Sequence, residues 1–396
     1  MWMDNMYGNK ICDKEEKTRR EAMEKYRNIA EIVVAILLGF GILIWSLADE
    51  DESFSSSERR SLAVKPSANI ENILSGKYMR DFENYTLDQF PARDTFRSLK
   101  ALTAFNVYVK KDNNGLYLDG EQIGKLEYPL KEKSVKNAIE KIDFIYKKYL
   151  ESGEHDIYFA IIPDKNYYLT EGKSYPKLDY KRMEDMMVGS LGYGQYISLF
   201  DELDKESYYY TDTHWRQECI GPVAEKLLGK MSMLDNYDNN QDVEGETYDI
   251  VDLSEEFYGV YYGQLGVKHE ADIMRYLKND IIDSYVVHDY ETNKSMDVYD
   301  YEKFYSDDPY EFFLGGSKSL ITIENSLVET DRELIIFRDS FGSSIAPLLA
   351  EKYAKVTLVD IRYISSALLD RFIEFDNQDI LFLYSSLVLN NSETFK

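Results

Sequence analysis

Two short segments, far apart in the sequence, together offer a hydroxyl, an imidazole and a carboxylate. The first contains Asp212 and His214, and the second contains Ser340. A serine hydroxyl becomes a nucleophile when a base takes its proton, and imidazole suits that task near neutral pH. In an extended or turning segment, side chains at positions i and i+2 can meet, so Asp212 can orient the His214 ring. These residue types predict a Ser–His–Asp site for acyl transfer.

Ser340 lies where the apolar run Leu334–Phe337 gives way to small residues and then to a helical pattern. This order predicts a strand, a sharp turn and a helix, a junction at which acyl-transfer enzymes place their serine. We expect backbone N–H groups of residues 340–342 to hold an oxyanion, with Gly342 permitting a close approach. The structural alternative is that Ser340 only caps a helix and that the Asp-x-His pair only marks a turn.

The surrounding elements predict an α/β fold with a doubly wound, parallel sheet, because nearly continuous apolar strands alternate with helices. Ligand sites of such sheets lie at the carboxyl ends of the strands, where Ser340 falls. Residues 233–330 are rich in Asp, Asn and Tyr and are predicted to form a large mixed insertion or lid. The predicted strands are 156–162, 334–337, 355–360 and 379–384, the helices 344–353 and 364–375, and the β-like runs of the insertion 258–265 and 281–287.

An apolar run from Ile32 to Ala48 predicts one N-terminal transmembrane helix. Basic residues precede it and acidic residues follow it, so we expect residues 1–31 to form a cytoplasmic tail. Residues 49–65 are rich in serine and charge and are predicted to be a linker, and residues 66–396 an extracytoplasmic domain. A cleaved signal peptide is the alternative. An uncleaved anchor in the cell membrane is favoured because the leading segment is long and lacks an Ala-x-Ala-like cleavage site.

Composition narrows the classes of partner and cofactor. The net charge is −26, which argues against nucleic acid, since phosphate binding needs a basic surface. Cys12 and Cys219 are expected on opposite sides of the membrane and cannot form a disulfide. The four histidines are scattered and no cysteine pair has ligand spacing, so we expect no metal and no other cofactor.

Several motifs occur in an order that resembles the DHHW / alginate O-acetyltransferase-like (AlgX/AlgJ-type) family. Members of that family are similar to SGNH hydrolases, with the Asp-x-His block placed before the serine. The resemblance runs from about residue 53 to the C-terminus. The motifs that carry it are Phe82–Arg93, Asn114–Tyr117, Pro163–Lys165, Asp212–Trp215, Arg338–Phe341 and Asp360–Tyr363.

The resemblance implies that Asp212, His214 and Ser340 form a catalytic triad in an SGNH-hydrolase-like domain. Arg338 stands where the family often has glycine, and we expect it to bind substrate or reach the acyl group. The substrate-binding or oxyanion candidates are Arg338, Gly342, Trp215 and Tyr363.

The resulting hypothesis is a bacterial O-acetyltransferase that modifies a cell-envelope or secreted polysaccharide through an acyl-enzyme. The resemblance implies that a multipass membrane O-acyltransferase supplies the acetyl group. Two alternatives stay open: a carbohydrate acetyl esterase with the same triad, and a catalytically silent glycan-binding scaffold of an export complex.

Overall fold

The computed structural model describes residues 2–233 and 248–396. The chain divides into two compact units: one comprises Met1–Ser55 and Arg60–Arg97, and the other comprises Ser56–Arg59 and Ser98–Lys396. The predicted insertion at 233–330 includes residues 234–247, which lie outside the described residues. The other predicted domain boundaries stay predictions.

Helices and short strands alternate along the described chain. The helices are α1 (Trp2–Ala48), α2 (Ile70–Leu74), α3 (Lys77–Asp88), α4 (Arg93–Asn106), α5 (Glu132–Ile145), α6 (Asn166–Leu169), α7 (Tyr180–Ser190), α8 (Gly221–Lys230), α9 (Val260–Leu265), α10 (Asp280–Asp283), α11 (Tyr301–Phe304), α12 (Phe341–Leu349) and α13 (Ser386–Leu389). The strands are β1 (Phe54–Ser55), β2 (Arg60–Ser61), β3 (Leu116–Asp119), β4 (Gln122–Lys125), β5 (Ile157–Ile162), β6 (Gln195–Tyr196), β7 (Asp249–Phe257), β8 (Asp272–Lys278), β9 (Val286–Asp289), β10 (Lys294–Met296), β11 (Leu320–Glu324), β12 (Glu333–Arg338), β13 (Lys355–Val359) and β14 (Asp379–Ser385).

The smaller unit contains the one helix, among the described residues, that is long and apolar enough to cross a membrane. The apolar part runs from Met23 to Ala48 and includes the predicted span at 32–48. A signal sequence near the N-terminus would have the same length and composition, so the choice between an anchor and a cleaved signal stays a prediction. The predicted linker at 49–65 contains a short antiparallel pairing of β1 with β2.

The larger unit is organised around a mixed eight-stranded sheet with the order β10–β9–β11–β13–β12–β14–β5–β6. The strands from β13 to β6 are parallel, and β11, β9 and β10 extend the sheet with antiparallel pairings. The predicted strands of the parallel part are confirmed as β5, β12, β13 and β14. The antiparallel strands come from the predicted insertion, which therefore contributes to the sheet itself.

The sheet forms a middle layer because both of its faces are buried. Side chains alternate along a strand, so Leu334 and Ile336 of β12 join one hydrophobic cluster and Ile335 and Phe337 join the other. Helices α8 and α12 contribute to the first cluster, and α5 and α7 contribute to the second. Burial on both faces explains why β12 and β14 are almost continuously apolar.

Four shorter elements differ from the predictions. The β-like run at 258–265 is helix α9, which ends at Gly266 in the left-handed region, with a φ of 75°. The run at 281–287 divides into α10 and the start of β9. The helix predicted at 344–353 begins earlier, as α12, and the one at 364–375 is a 3₁₀ helix over Ser366–Arg371. The helix predicted at 344–353 is thus confirmed apart from its earlier start and a 3₁₀ turn at its end. The two β-like runs were short, and short runs of strand-favouring residues are a weak signal.

Candidate active site

Ser340 occupies the sharp turn between the end of β12 and the start of α12. The turn is held by Asp339, whose carboxylate accepts hydrogen bonds from Phe341 N at 3.1 Å and from Ser385 N at 2.8 Å. Because Ser385 ends the neighbouring parallel strand β14, the turn is tied to the adjacent strand end as well as to its own helix. The serine is therefore fixed at the carboxyl edge of the sheet and is partly exposed.

The structure brings the three predicted triad residues together. The His214 Nε2 atom lies 2.7 Å from Ser340 Oγ, and His214 Nδ1 lies 2.6 Å from Asp212 Oδ1. An ionised carboxylate only accepts hydrogen bonds, so Nδ1 carries the proton and Nε2 accepts from the serine hydroxyl. This is the geometry in which an imidazole can act as a general base toward serine.

Asp212 is completely buried and every side of its carboxylate is occupied. Oδ1 also accepts from His214 N at 3.0 Å, and Oδ2 accepts from Val260 N at 2.8 Å and from Arg59 Nη1 at 3.2 Å. Burial alone would raise the pKa of this carboxyl, but His214, Arg59 and the backbone N–H donor hold that pKa well below its usual range. Asp212 therefore stays ionised beside the imidazole.

Two aromatic rings fix the plane of the His214 imidazole. Tyr310 stacks on it with ring centroids 3.7 Å apart and an angle of 7° between the planes, and Phe341 contacts it at 4.8 Å. The Tyr310 hydroxyl donates to Ser344 Oγ at 2.8 Å, which ties the stacked ring to α12. Nothing in the sequence distinguishes Tyr310, since it is one of 34 tyrosines and has no special spacing.

The segment that carries Asp212 and His214 is held by contacts with distant parts of the chain. The carboxylate of Asp272, at the start of β8, accepts from Tyr210 N at 2.7 Å and from Thr211 N at 2.8 Å. Gly259 N donates to the Thr211 hydroxyl at 2.8 Å. A Cβ atom at Gly259 would overlap Asp212 Cβ and Thr211 O, so only glycine allows this approach.

Lys165, from the predicted Pro163–Lys165 motif, supports the same segment from the end of β5. Its buried Nζ atom donates to the carbonyl oxygens of Tyr209 and Tyr210, each at 2.9 Å. Burial lowers the pKa of the Lys165 ammonium to about 7, against the opposing effect of nearby carboxylates, chiefly Asp272. Its contacts connect this motif to the backbone that precedes the Asp-x-His pair.

Arg338 lies beneath the site and does not reach solvent. Its guanidinium is fully buried and donates to the carbonyl oxygens of Gly316 at 3.2 Å, Lys318 at 3.4 Å and Asp339 at 3.3 Å. The expectation that it binds substrate is therefore not supported by its placement. Gly342 packs on Arg338, because an added Cβ would come within 2.6 Å of Arg338 Cβ.

Of the other two candidates, only one side chain reaches solvent. Trp215 is fully buried, donates from Nε1 to Ser344 Oγ at 2.7 Å and packs edge-on against Phe341. Tyr363 is 50% exposed and lies beyond the end of β13, beside the guanidinium of Arg362. Because β13 is parallel to β12 and next to it, Tyr363 belongs to the same edge of the sheet as Ser340.

The expected oxyanion donors are mostly engaged elsewhere. Phe341 N donates to the Asp339 carboxylate, and Gly342 N donates to the Asp339 carbonyl at 3.0 Å. Ser340 N is the one donor of the predicted set without a hydrogen-bond partner among the described residues. Because Asp339 accepts from both of these amides, Ser340 N is the candidate oxyanion donor, and a role of Gly342 in the oxyanion hole stays a prediction.

Arg59, in the predicted linker, is the main residue that the sequence analysis missed. Its Nη1 atom lies 2.9 Å from Asp308 Oδ1, in addition to its contact with Asp212, and Nη2 donates to Tyr258 O at 2.5 Å. The signal available in the sequence is a pair of adjacent arginines, Arg59 and Arg60, after a serine-rich stretch. Such a pair usually lies on a solvated surface.

The described residues contain no candidate metal site. In that part of the chain, no group of three or more His, Cys, Asp or Glu side chains is placed to hold a metal ion. The histidines other than His214 have separate neighbours, such as the Gln378 carbonyl beside His155 Nδ1 at 3.0 Å.

The fold and the site define a mixed α/β protein with a Ser–His–Asp arrangement at the carboxyl edge of its sheet. No family model and no curated protein matches the sequence. Solved structures with a similar fold include a DHHW family protein from Eubacterium siraeum DSM 15702. That protein is 19% identical, and the match has a TM-score of 0.55 and covers 72% of this chain and 95% of the other.

Bacillus cereus PatB1 also has a similar fold. It is 15% identical, with a TM-score of 0.54 over 70% of this chain and 97% of the other. A second structure of PatB1, with a sulfonyl adduct, is 16% identical, with a TM-score of 0.53 over 69% of this chain and 95% of the other. At these identities the likeness concerns the fold. The resemblance to DHHW-type proteins that the motifs predict is thus confirmed at the level of the fold.

Proposed function

We propose that this protein is an extracytoplasmic, serine-dependent O-acetyltransferase that modifies a cell-envelope or secreted polysaccharide. The observation that carries the proposal is the pair of hydrogen bonds of His214, to Ser340 Oγ at 2.7 Å and to Asp212 Oδ1 at 2.6 Å. The choice of an acetyl group and a glycan acceptor rests on the motif resemblance to the DHHW / alginate O-acetyltransferase-like family, which the similar fold supports.

In the first half-reaction, Ser340 Oγ attacks the carbonyl carbon of an acetyl ester while His214 Nε2 takes the hydroxyl proton. The tetrahedral intermediate collapses when the imidazolium returns that proton to the departing alcohol oxygen, leaving acetyl-Ser340. Asp212 stabilises the imidazolium that forms between these steps. Ser340 N is the donor available to the oxyanion.

In the second half-reaction, a sugar hydroxyl gives its proton to His214 Nε2 and attacks the acetyl carbon. Collapse of this intermediate returns the proton to Ser340 Oγ and releases the acetylated sugar. Tyr363 is a candidate contact for the glycan, because it is exposed and lies at the same edge of the sheet.

The proposed location rests on the N-terminal apolar helix, and the proposed acetyl donor rests on the family resemblance. An uncleaved anchor with its basic flank inside the cell would place the domain outside, where we propose that a multipass membrane O-acyltransferase supplies the acetyl group. Hydrolysis is the second candidate, because Ser340 is partly exposed and water could replace the sugar as the acceptor.

The full-length protein, in detergent, is assayed with an activated acetyl ester, with and without glycan acceptors. Ser340→Ala is expected to lower turnover by roughly 10³-fold or more and to abolish acetyl labelling of the protein. Ser343→Ala is the matched control, since Ser343 is buried in the same helix and its hydroxyl donates to Gly316 O.

Equal turnover by the wild type and Ser340→Ala would refute both enzymatic functions and favour the silent scaffold. Turnover that depends on Ser340 but never transfers acetyl to any glycan would favour the esterase. Acetyl transfer to a glycan that depends on Ser340 would support the transferase.

A further inference from the structure

The carboxylate of Asp212 is shared between the imidazole on one side and a guanidinium on the other. We propose that Arg59 is a positioning residue of the candidate site: it keeps Asp212 ionised and correctly placed, and Asp308 competes for the same guanidinium. Together, Arg59 and Asp308 would set how strongly Asp212 acts on His214. This inference rests on the proposed function, in which His214 is the base.

The contacts of Arg59 are those of a residue that acts through Asp212. Its Nη1 atom bridges Asp212 Oδ2 at 3.2 Å and Asp308 Oδ1 at 2.9 Å, and its Nη2 atom donates to the Tyr258 carbonyl. The side chain is only 9% exposed, and Phe257 covers the guanidinium carbon at 5.7 Å. Arg59 thus contacts the outer oxygen of the triad carboxylate and makes no contact with Ser340 or His214 among its hydrogen bonds and ion pairs.

The backbone of Arg59 has a conformation that is unusual for a residue other than glycine. Its φ is 50°, in the left-handed region that glycine adopts most easily and other residues seldom occupy. The preceding Ser57 carbonyl lies directly against Gly263, where any Cβ would overlap it. The turn is therefore closely packed within the larger unit, in a conformation that favours glycine, and the Arg59 side chain donates to Asp212. A strained residue of this kind is a reason to look for function.

The positive charge of the Arg59 guanidinium stabilises the buried carboxylate of Asp212. Asp212 is fully buried, and a buried carboxylate without a cation is strongly disfavoured. Besides His214, Arg59 is the cation beside the Asp212 carboxylate, and its charge helps to keep that carboxylate ionised. Without Arg59, Asp212 would face the Asp308 carboxylate across the vacated space, and either protonation or movement of Asp212 would weaken its hold on Nδ1–H.

Asp308 makes this arrangement adjustable. Its side chain is 43% exposed, whereas that of Asp212 is 0% exposed. Burial still raises the pKa of the Asp308 carboxyl, and Arg59 acts in the opposite direction. Removing the Asp308 charge leaves Asp212 as the one carboxylate that pairs with the guanidinium among the described residues. In the absence of Arg59, the same change removes the repulsion that Asp212 would otherwise meet.

The test compares full-length variants for turnover of the activated acetyl ester. Arg59→Ala is expected to lower kcat by roughly 10- to 100-fold, the usual cost of losing a group that orients a reacting side chain, with KM within about twofold. Arg59→Lys, which keeps the positive charge, should recover part of this loss. Arg60→Ala is the matched control, because Arg60 pairs with Asp88.

The double variant gives the sharpest result. Arg59→Ala with Asp308→Asn should be several-fold more active than Arg59→Ala alone, because it lacks the carboxylate that repels Asp212. A role of Arg59 in folding alone predicts equal or lower activity in the double variant, and that result would overturn the proposal. Thermal unfolding of each variant separates a loss of folded protein from a loss of rate.

The pH profile provides a second readout. In Arg59→Ala the acidic limb of kcat/KM should move to higher pH, because Arg59 helps to hold the pKa of Asp212 down and this carboxyl protonates more readily without it. An unchanged limb together with an unchanged kcat would overturn the inference. The charged or titratable groups that face Asp212 are Arg59, Lys165, His214, Tyr261, Asp308 and Tyr310.

A readout without turnover separates this inference from the proposed function. The chain has four histidines, so ¹⁵N-histidine labelling gives four imidazoles, and His214→Ala identifies one of them. The hydrogen-bonded Nδ1–H signal of His214 should weaken in Arg59→Ala and persist in Arg60→Ala. If the signal responds but no variant turns over the ester, the positioning role survives and the proposed function fails. If turnover depends on Ser340 but neither the signal nor kcat responds to Arg59, only this inference fails.

Discussion

The segments that carry Ser340 and His214 meet at one hydrogen bond but are held in opposite ways. Ser340 is placed by neighbours in sequence and by the adjacent strand, through Asp339 and the Ser385 amide. His214 and Asp212 are placed by side chains and backbone from distant regions. These supports are Arg59, Lys165, Gly259, Val260, Asp272 and Tyr310.

This difference has a physical basis. A strand–turn–helix junction in a parallel sheet has all its backbone hydrogen bonds nearby, so the nucleophile needs little additional support. The base lies in an irregular loop, whose buried amides and carboxylate must find partners elsewhere. Substitutions of residues that support the histidine segment should therefore disturb the site through many routes. Substitutions of residues that support the serine turn, other than Ser340 itself, should act chiefly through stability.

The largest expected difference comes from two buried aspartates. Asp212→Asn should lower kcat by about 10⁴-fold, because an amide can donate to Nδ1 and stabilise the wrong imidazole tautomer. Asp339→Asn should mainly lower the unfolding temperature, because it weakens the two amide contacts that hold the serine turn and touches no reacting atom. Steady-state kinetics and thermal unfolding of both variants check this, and comparable rate losses would contradict the comparison.

Two glycines provide the next test. Alanine at Gly259 would overlap Asp212 Cβ and the Thr211 carbonyl, so the loop must shift, and we expect losses of both stability and kcat. Alanine at Gly342 meets the Arg338 side chain at 2.6 Å, and we expect a loss of stability of about 1–3 kcal/mol with a smaller loss of rate.

Gly192→Ala is the control for both glycines, because an added Cβ there meets nothing within 4 Å. Chemical denaturation measures stability, and labelling of Ser340 by a sulfonyl fluoride measures the reactivity of the serine. A larger loss of reactivity in Gly342→Ala than in Gly259→Ala would reverse the proposed difference between the segments.

The difference between local support of Ser340 and distant support of His214 also explains which parts of the molecule could be predicted from the sequence. The four strands β5, β12, β13 and β14 could be predicted from the sequence. Strands such as β12 and β14 are buried on both faces and are therefore almost continuously apolar. The role of Arg59 could not be predicted, because an arginine in a serine-rich stretch gives no local sign of a partner more than 150 positions away. The short run of Val and Tyr in Val260–Leu265 predicts a strand, but the segment is a helix with a glycine at each end.

The smallest expected effects concern Ser344, which joins the two segments. Its hydroxyl oxygen accepts from Trp215 Nε1 at 2.7 Å and from the Tyr310 hydroxyl at 2.8 Å. Tyr310→Phe removes one donor and leaves the ring on His214, so stability should fall by about 0.5–1.5 kcal/mol with kcat almost unchanged.

Ser344→Ala removes the acceptor and leaves both donors buried without their partner, so it should cost more stability than Tyr310→Phe, by about 1–3 kcal/mol. Denaturant titrations of the two variants, with kcat measured in parallel, separate these effects. A tenfold loss of kcat in Tyr310→Phe would show that the hydroxyl controls the orientation of the stacked ring. The histidine would then depend on α12 for its placement, and the contrast between the two segments would be weaker than the hydrogen bonds indicate.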